Sequence, residues 1–161
     1  MKKKISSGFS LIELLIVVAI ILIIAAIAIP NLLRSRIAAN QASAVGSLRT
    51  LNTAEITYSS TFNVGFTATM TYLAPPVAPA GPSATAAGLI DEVLAAGSKS
   101  GYTFAYSSGT PDSTGRIDYY SFTAVPISDS TGTNYYYTDQ SGVIRQNSTQ
   151  TAGSTDSPLA G

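Results

Sequence analysis

The sequence predicts an α+β protein: a long N-terminal α-helix packed against a small antiparallel β-meander of about four strands. Three observations lead there. Residues 14–29 are sixteen uninterrupted apolar residues, and helical spacing of apolar positions continues to about residue 58. From Gly101 the apolar period falls from about 3.6 to two, the period of a strand with one packed face. Between these regions lies a Pro/Ala/Gly/Ser stretch, residues 74–88, whose four prolines suit an irregular surface connection.

The first element opens after a short basic segment, residues 1–8, that contains Lys2, Lys3 and Lys4. Residues 9–29 number 21, which at about 1.5 Å per residue span roughly 31 Å, close to the hydrocarbon thickness of a bilayer. A secretory signal peptide has an apolar core of about 7–15 residues, so this run is too long for one and reads as a membrane anchor. The lysines place its N-terminal end in the cytoplasm and the C-terminal body outside. Glu13 interrupts the apolar surface, and a carboxylate there costs on the order of 3 kcal/mol on insertion scales, so it calls for a function.

Pro30 removes one backbone donor and crowds the preceding turn, which predicts a kink rather than a stop, because residues 31–58 are again helical in pattern. Ile37, Val45, Leu48, Leu51 and Tyr58 fall near one face, with Arg34, Arg36, Gln41 and Arg49 between them. That stripe is expected to pack on the body, residues 59–161. Arg34 and Arg36 suit either lipid headgroups or a solvated flank.

Within the body, residues 89–96 have helical spacing and stop at Gly97, a suitable C-terminal cap. Strands are expected within residues 101–146: one through Tyr102, Phe104 and Tyr106, one over 116–125, one over 134–139 and a short one over 143–146, after a turn at Gln140-Ser141-Gly142. The tyrosines of 119–120 and 135–137 suit strands and divide between core and solvent. Residues 147–161 read as a loop or a loosely pinned end, and Asn147-Ser148-Thr149 matches a glycosylation triplet of low specificity.

Composition narrows the function classes. The chain has no Cys and no His, which removes thiol nucleophiles, disulfides, most transition-metal sites and the commonest general base. Asp91 and Glu92 are adjacent, so on a helix they do not face each other as a paired-carboxylate site would. No catalytic residue, metal or cofactor is expected. Net charge is zero, but removing Lys2–Lys4 leaves six basic residues against nine acidic ones, a side-chain net of −3. Nucleic-acid binding is not expected from such a balance.

The residues Gly8-Phe9-Ser10-Leu11-Ile12-Glu13-Leu14-Leu15, with Pro30-Asn31-Leu32-Leu33 further on, resemble the prepilin peptidase site and N-terminal helix of type IV pilins and type II secretion pseudopilins. The resemblance covers residues 1 to about 58. It implies a leader of residues 1–8 cut between Gly8 and Phe9, methylation of the new Phe9 amine by the same peptidase, and a filament core built from residues 9–30. Glu13 is then assigned to contact with the Phe9 amine of a neighbouring subunit.

The implied partners are further copies of the chain in a helical filament, the prepilin peptidase, and an inner-membrane assembly platform of a pilus or type II secretion system. The subunit would sit in the inner membrane before assembly and in a surface or periplasmic filament after it. Two departures bear on the choice. The Cys pair that closes the C-terminal loop of many pilins is missing, so strand pairing must anchor that region. Pseudopilins usually show an Asp-Pro-Trp-Gly segment and a late calcium loop, whereas this chain has no Trp and its late acids Asp129, Asp139 and Asp156 are scattered. A pilin is therefore the preferred reading, ahead of a pseudopilin and a membrane-anchored enzyme.

Overall fold

The structure, a computed structural model, describes residues 9–159. Helix α1 (Leu11–Phe62) is followed by a 3-10 turn (Met70–Leu73), helix α2 (Glu92–Ala95) and strands β1 (Ser98–Lys99), β2 (Tyr102–Ser108), β3 (Tyr120–Pro126), β4 (Tyr135–Asp139) and β5 (Arg145–Asn147). The described residues divide into two compact units, separated between Arg36 and Ile37.

In the first unit α1 is bare. Its most apolar window has a mean hydropathy of 3.3 and none of it is buried. That makes it long and apolar enough to cross a membrane. The helix runs through Pro30 without a break, and Asn31 Nδ2 donates to the Ile27 carbonyl at 3.0 Å.

The second unit has the core. Ala44, Val45, Leu48, Leu51, Ala54 and Tyr58 of α1 are buried, as the stripe of spacing led one to expect, and Ile37 is half-buried. The opposite face of α1 is rich in threonine. Thr50, Thr53 and Thr57 each return their hydroxyl to the carbonyl four residues back, so polar β-branched residues sit in the helix with no unpaired donor. The helix extends four residues past Tyr58 to Phe62 and ends on Asn63 at φ 61°, a left-handed cap that asparagine tolerates.

All five strands are antiparallel and lie in sequence order, β1-β2-β3-β4-β5. Alternation sorts their faces: Tyr102, Phe104, Tyr120, Phe122, Ala124 and Tyr136 point to the core, and Thr103, Ala105, Ser107 and Thr123 point away. Register aligns Phe104 with Ala124 and Ala124 with Tyr136, a large-small-large row that fills space against α1. Polar contacts then set where the helix docks. Asn52 Nδ2 donates to Thr138 Oγ1 at 2.8 Å, Tyr120 Oη donates to Asn52 Oδ1 at 3.1 Å, and Asn40 Nδ2 donates to the Thr131 carbonyl at 2.9 Å.

Four strands were expected and a fifth is present. β1 is two residues long and ends on Lys99, whose ammonium pairs with Asp91 at 2.8 Å. That bond, with a second from the Leu94 amide, lowers the Asp91 pKa and fixes Asp91 as the N-cap of α2. Helix α2 is only the last part of the expected 89–96 segment, because the Leu89 and Ile90 amides donate to the Leu73 carbonyl instead. Gly97 follows α2 at φ 78°, as a cap should.

The C-terminal segment is pinned without cysteine. Its Leu159 amide donates to the Ile144 carbonyl at 2.8 Å, and the Gln146 amide donates to the Ser157 carbonyl at 3.0 Å, covering the open edge of β5. The Asp156 carboxylate accepts from Asn147 Nδ2 at 2.9 Å and from the Gly153 amide at 2.7 Å, which closes the loop between them. Asn147 Oδ1 in turn accepts from the Thr149 amide and hydroxyl. Both ends of the Asn147 amide are thus engaged, which leaves the glycosylation triplet with a structural role.

Because the second unit has its own core, a fragment starting at Arg36 is expected to be a soluble, folded monomer. Circular dichroism checks this: a clear strand signal and a cooperative melt are expected, and aggregation or a coil spectrum would show that the body depends on the apolar helix.

Candidate functional site

The start of α1 is where sequence and geometry meet. Ser10 is the residue before the first helical position, and the Leu14 amide donates to its carbonyl at 3.2 Å to open the helix. Glu13 lies in the first turn and turns back: Ser10 N donates to Glu13 Oε2 at 3.0 Å. Ser-x-x-Glu with this contact is half of a capping box, in which the carboxylate meets one of the amides that a helix start leaves without a partner. The negative side chain also sits at the positive end of the helix dipole. Sequence reasoning identified Glu13 but missed Ser10, although the spacing Ser10-Leu11-Ile12-Glu13 was there to be read.

Phe9 is 76% exposed and lies next to this cap. Leu11, Leu14, Leu15, Val18 and Leu22 form an uncovered apolar face directly beyond it. Phe9 and Glu13 thus both lie at the start of α1, beside an uncovered apolar face. Gly8 and the leader segment lie outside the described residues. Pro30 is placed well inside α1, apart from this cluster.

Glu13 carries the chemistry of the site. One carboxylate oxygen is committed to Ser10, and the other has no hydrogen-bond partner among the described residues. An acid at the mouth of an apolar helix, with one oxygen still available, can accept from a cationic or amine donor of another molecule. In hydrocarbon such a contact is little screened.

A family model described as the prokaryotic N-terminal methylation motif matches residues 3–29. The type IV major pilin protein PilA of Myxococcus xanthus (strain DK1622) is 51% identical over 53 residues. That stretch is 33% of this chain and 24% of the Myxococcus protein, so the likeness spans about a quarter of the relative's length. No solved structure matches the chain. Over its N-terminal segment, then, the chain is similar to a type IV major pilin and carries the prokaryotic N-terminal methylation motif.

Proposed function

We propose that this chain is a structural subunit of an extracytoplasmic type IV pilus-like filament. It is made as a precursor with residues 1–8 as leader and held in the inner membrane by residues 9–30, with the head outside. A prepilin peptidase cuts between Gly8 and Phe9 and methylates the Phe9 amine, and an assembly platform then adds the subunit to a growing homopolymer. The observation that supports this reading is a single capped acid, Glu13, at the start of a helix whose most apolar stretch is wholly uncovered. Such a surface is stable only in lipid or against copies of itself.

A pilus is favoured over a type II secretion pseudopilus by the likeness to a major pilin and by how the late acids are used. Asp139 accepts from the Ser141 amide in its own turn and Asp156 closes the C-terminal loop, so the two serve separate turns rather than one ion-binding loop.

Filaments sheared from cells and analysed by intact mass are expected to consist of this chain, starting at Phe9 and carrying one extra methyl group. An N-terminus at Met1, or one generated near residues 26–28, would overturn the proposal. Gly8→Val is expected to abolish processing, since a branched side chain would stand where the peptidase now meets none; full-length precursor should accumulate in membranes on an immunoblot.

A further inference from the structure

The second unit contains a buried acid to which the proposed function assigns no role. Glu55 lies on α1, completely buried, between Leu51 and Tyr58 on the core-facing side. No cation pairs with it: the ion pairs among the described residues are Lys99–Asp91 and Arg116–Asp118. The titratable groups that face it are Tyr58 from its own helix, Tyr106 from β2 and Tyr120 from β3. Residue 55 lies four beyond Leu51 and three before Tyr58, on the side of α1 that the apolar stripe marks, but its acidic character hid it from a reading of apolar spacing.

Its contacts form a chain of oxygens. Glu55 Oε2 accepts from the Thr67 amide at 2.9 Å. Glu55 Oε1 lies 2.6 Å from Thr67 Oγ1, Thr67 Oγ1 lies 3.1 Å from Tyr106 Oη, and Tyr106 Oη donates to the Thr67 carbonyl at 2.5 Å. Three oxygen–oxygen contacts in series need three protons. A hydroxyl supplies one, so Thr67 and Tyr106 supply two, and the carbonyl at the end can only accept. With Glu55 as a carboxylate, one contact is left as facing lone pairs. With Glu55 as an acid, it donates to Thr67, Thr67 to Tyr106, and Tyr106 to the carbonyl, and every contact has its proton.

We infer that Glu55 is held as a neutral carboxylic acid in the folded head and works as a proton-operated latch on the segment that follows α1. That segment is also tied to the body through Phe66 N, which donates to the Ile117 carbonyl at 2.7 Å, through the Gly65–Ile117 bridge, and through the Phe66 ring, 4.6 Å from that of Tyr120. Burial acts in the same direction: it raises the Glu55 pKa above the ordinary carboxyl range, against smaller opposing effects of the Thr67 and Tyr106 hydrogen bonds. The sign follows. A group whose pKa is raised on folding binds its proton more tightly in the folded state, so its stabilisation is complete at acid pH and is lost as pH rises through the folded value. Above that value a charge with no cation beside it is buried and the Thr67–Tyr106 contact loses its proton, so the latch holds the Thr67 segment less firmly.

The test uses the full chain in detergent micelles, labelled with carbon-13 in its three glutamates, Glu13, Glu55 and Glu92. One carboxyl resonance, absent from Glu55→Gln, is expected to titrate above the ordinary carboxyl range. Over the same pH interval the Thr67 amide should exchange faster, by about tenfold for each unit that the pKa is raised, after correction for intrinsic exchange. In Glu55→Gln that pH dependence should vanish. Tyr106→Phe removes the acceptor of the Thr67 proton, frees that proton for a carboxylate, and is expected to lower the Glu55 titration while leaving the fold intact. A Glu55 resonance that titrates within the ordinary carboxyl range, or one unmoved by Tyr106→Phe, would overturn the latch. If Glu55→Gln does not fold, the resonance is assigned through its own backbone amide and the titration decides alone.

Discussion

Glu13→Val is expected to enter the membrane at least as well as the native chain and to be cut after Gly8, yet to yield few or no filaments. The substitution removes an insertion cost of about 3 kcal/mol, so anchoring improves. It also removes the acceptor of the Ser10 amide, a cap worth about 0.5–2 kcal/mol that loosens only the first turn. Neither change explains a failure to assemble. On the proposed function, assembly would lose the charge that a neighbour's Phe9 amine meets, and leaving one partner of a desolvated pair alone costs several kcal/mol. Glu13→Gln separates the two roles, because glutamine still serves a capping box but carries no charge. It should assemble poorly if charge sets the register and normally if the cap alone matters. Glu13→Asp, with shorter reach, should fall between. Shearing cells and weighing subunit in the released fraction reads all three, and a normal yield from Glu13→Val would show that this acid does not determine assembly.

Much of this architecture could be read from residue order, because the strongest signals come from periodicity. The run 14–29 and the switch to period two at Gly101 locate α1 and the sheet, and the turn at Gln140-Ser141-Gly142 falls where the Gly142 amide bonds the Asp139 carbonyl. Failures occur where local polar chemistry overrides the pattern. A strand was expected from residue 116, but Asp112 gathers the Thr114 and Arg116 amides into a turn, Ile117 bridges to Gly65, and β3 begins only at Tyr120. Strand β1 is too short to carry any period. Composition made residues 147–161 look loosely held, because a single carboxylate that gathers two donors leaves no mark on composition. Asp156 closes that loop through two hydrogen bonds and no covalent link.

The buried polar residues of α1 were hidden for a related reason. Asn52 and Glu55 occupy core-facing positions by spacing, but their polarity argues against burial unless their partners are known. Those partners, Thr138, Tyr120 and Thr67, come from segments distant in sequence. Buried polar pairs of this kind fix one alignment of helix against sheet where apolar packing alone would tolerate several.

Phe122→Ala is expected to destabilise the head by about 3–5 kcal/mol, a large part of the roughly 5–15 kcal/mol that holds a domain folded. Phe122 is fully buried at the centre of β3, with its ring 4.8 Å from that of Tyr106 and 5.6 Å from that of Tyr120. Truncation removes both contacts and opens a cavity in a site walled by two strands and α1, which has little room to collapse. The adjacent Thr123 faces the other way, paired with Ala105 and Tyr137, so Thr123→Ala should change stability by no more than about 0.5 kcal/mol. Near-UV circular dichroism of the tyrosines during denaturant unfolding of the full chain in mild detergent measures both. A large drop in midpoint for Phe122→Ala beside an unchanged one for Thr123→Ala is the expected pair. Since a one-residue slip of β3 would exchange the two faces, comparable losses at both positions would mean that the strand does not hold the register that places Phe122 against α1.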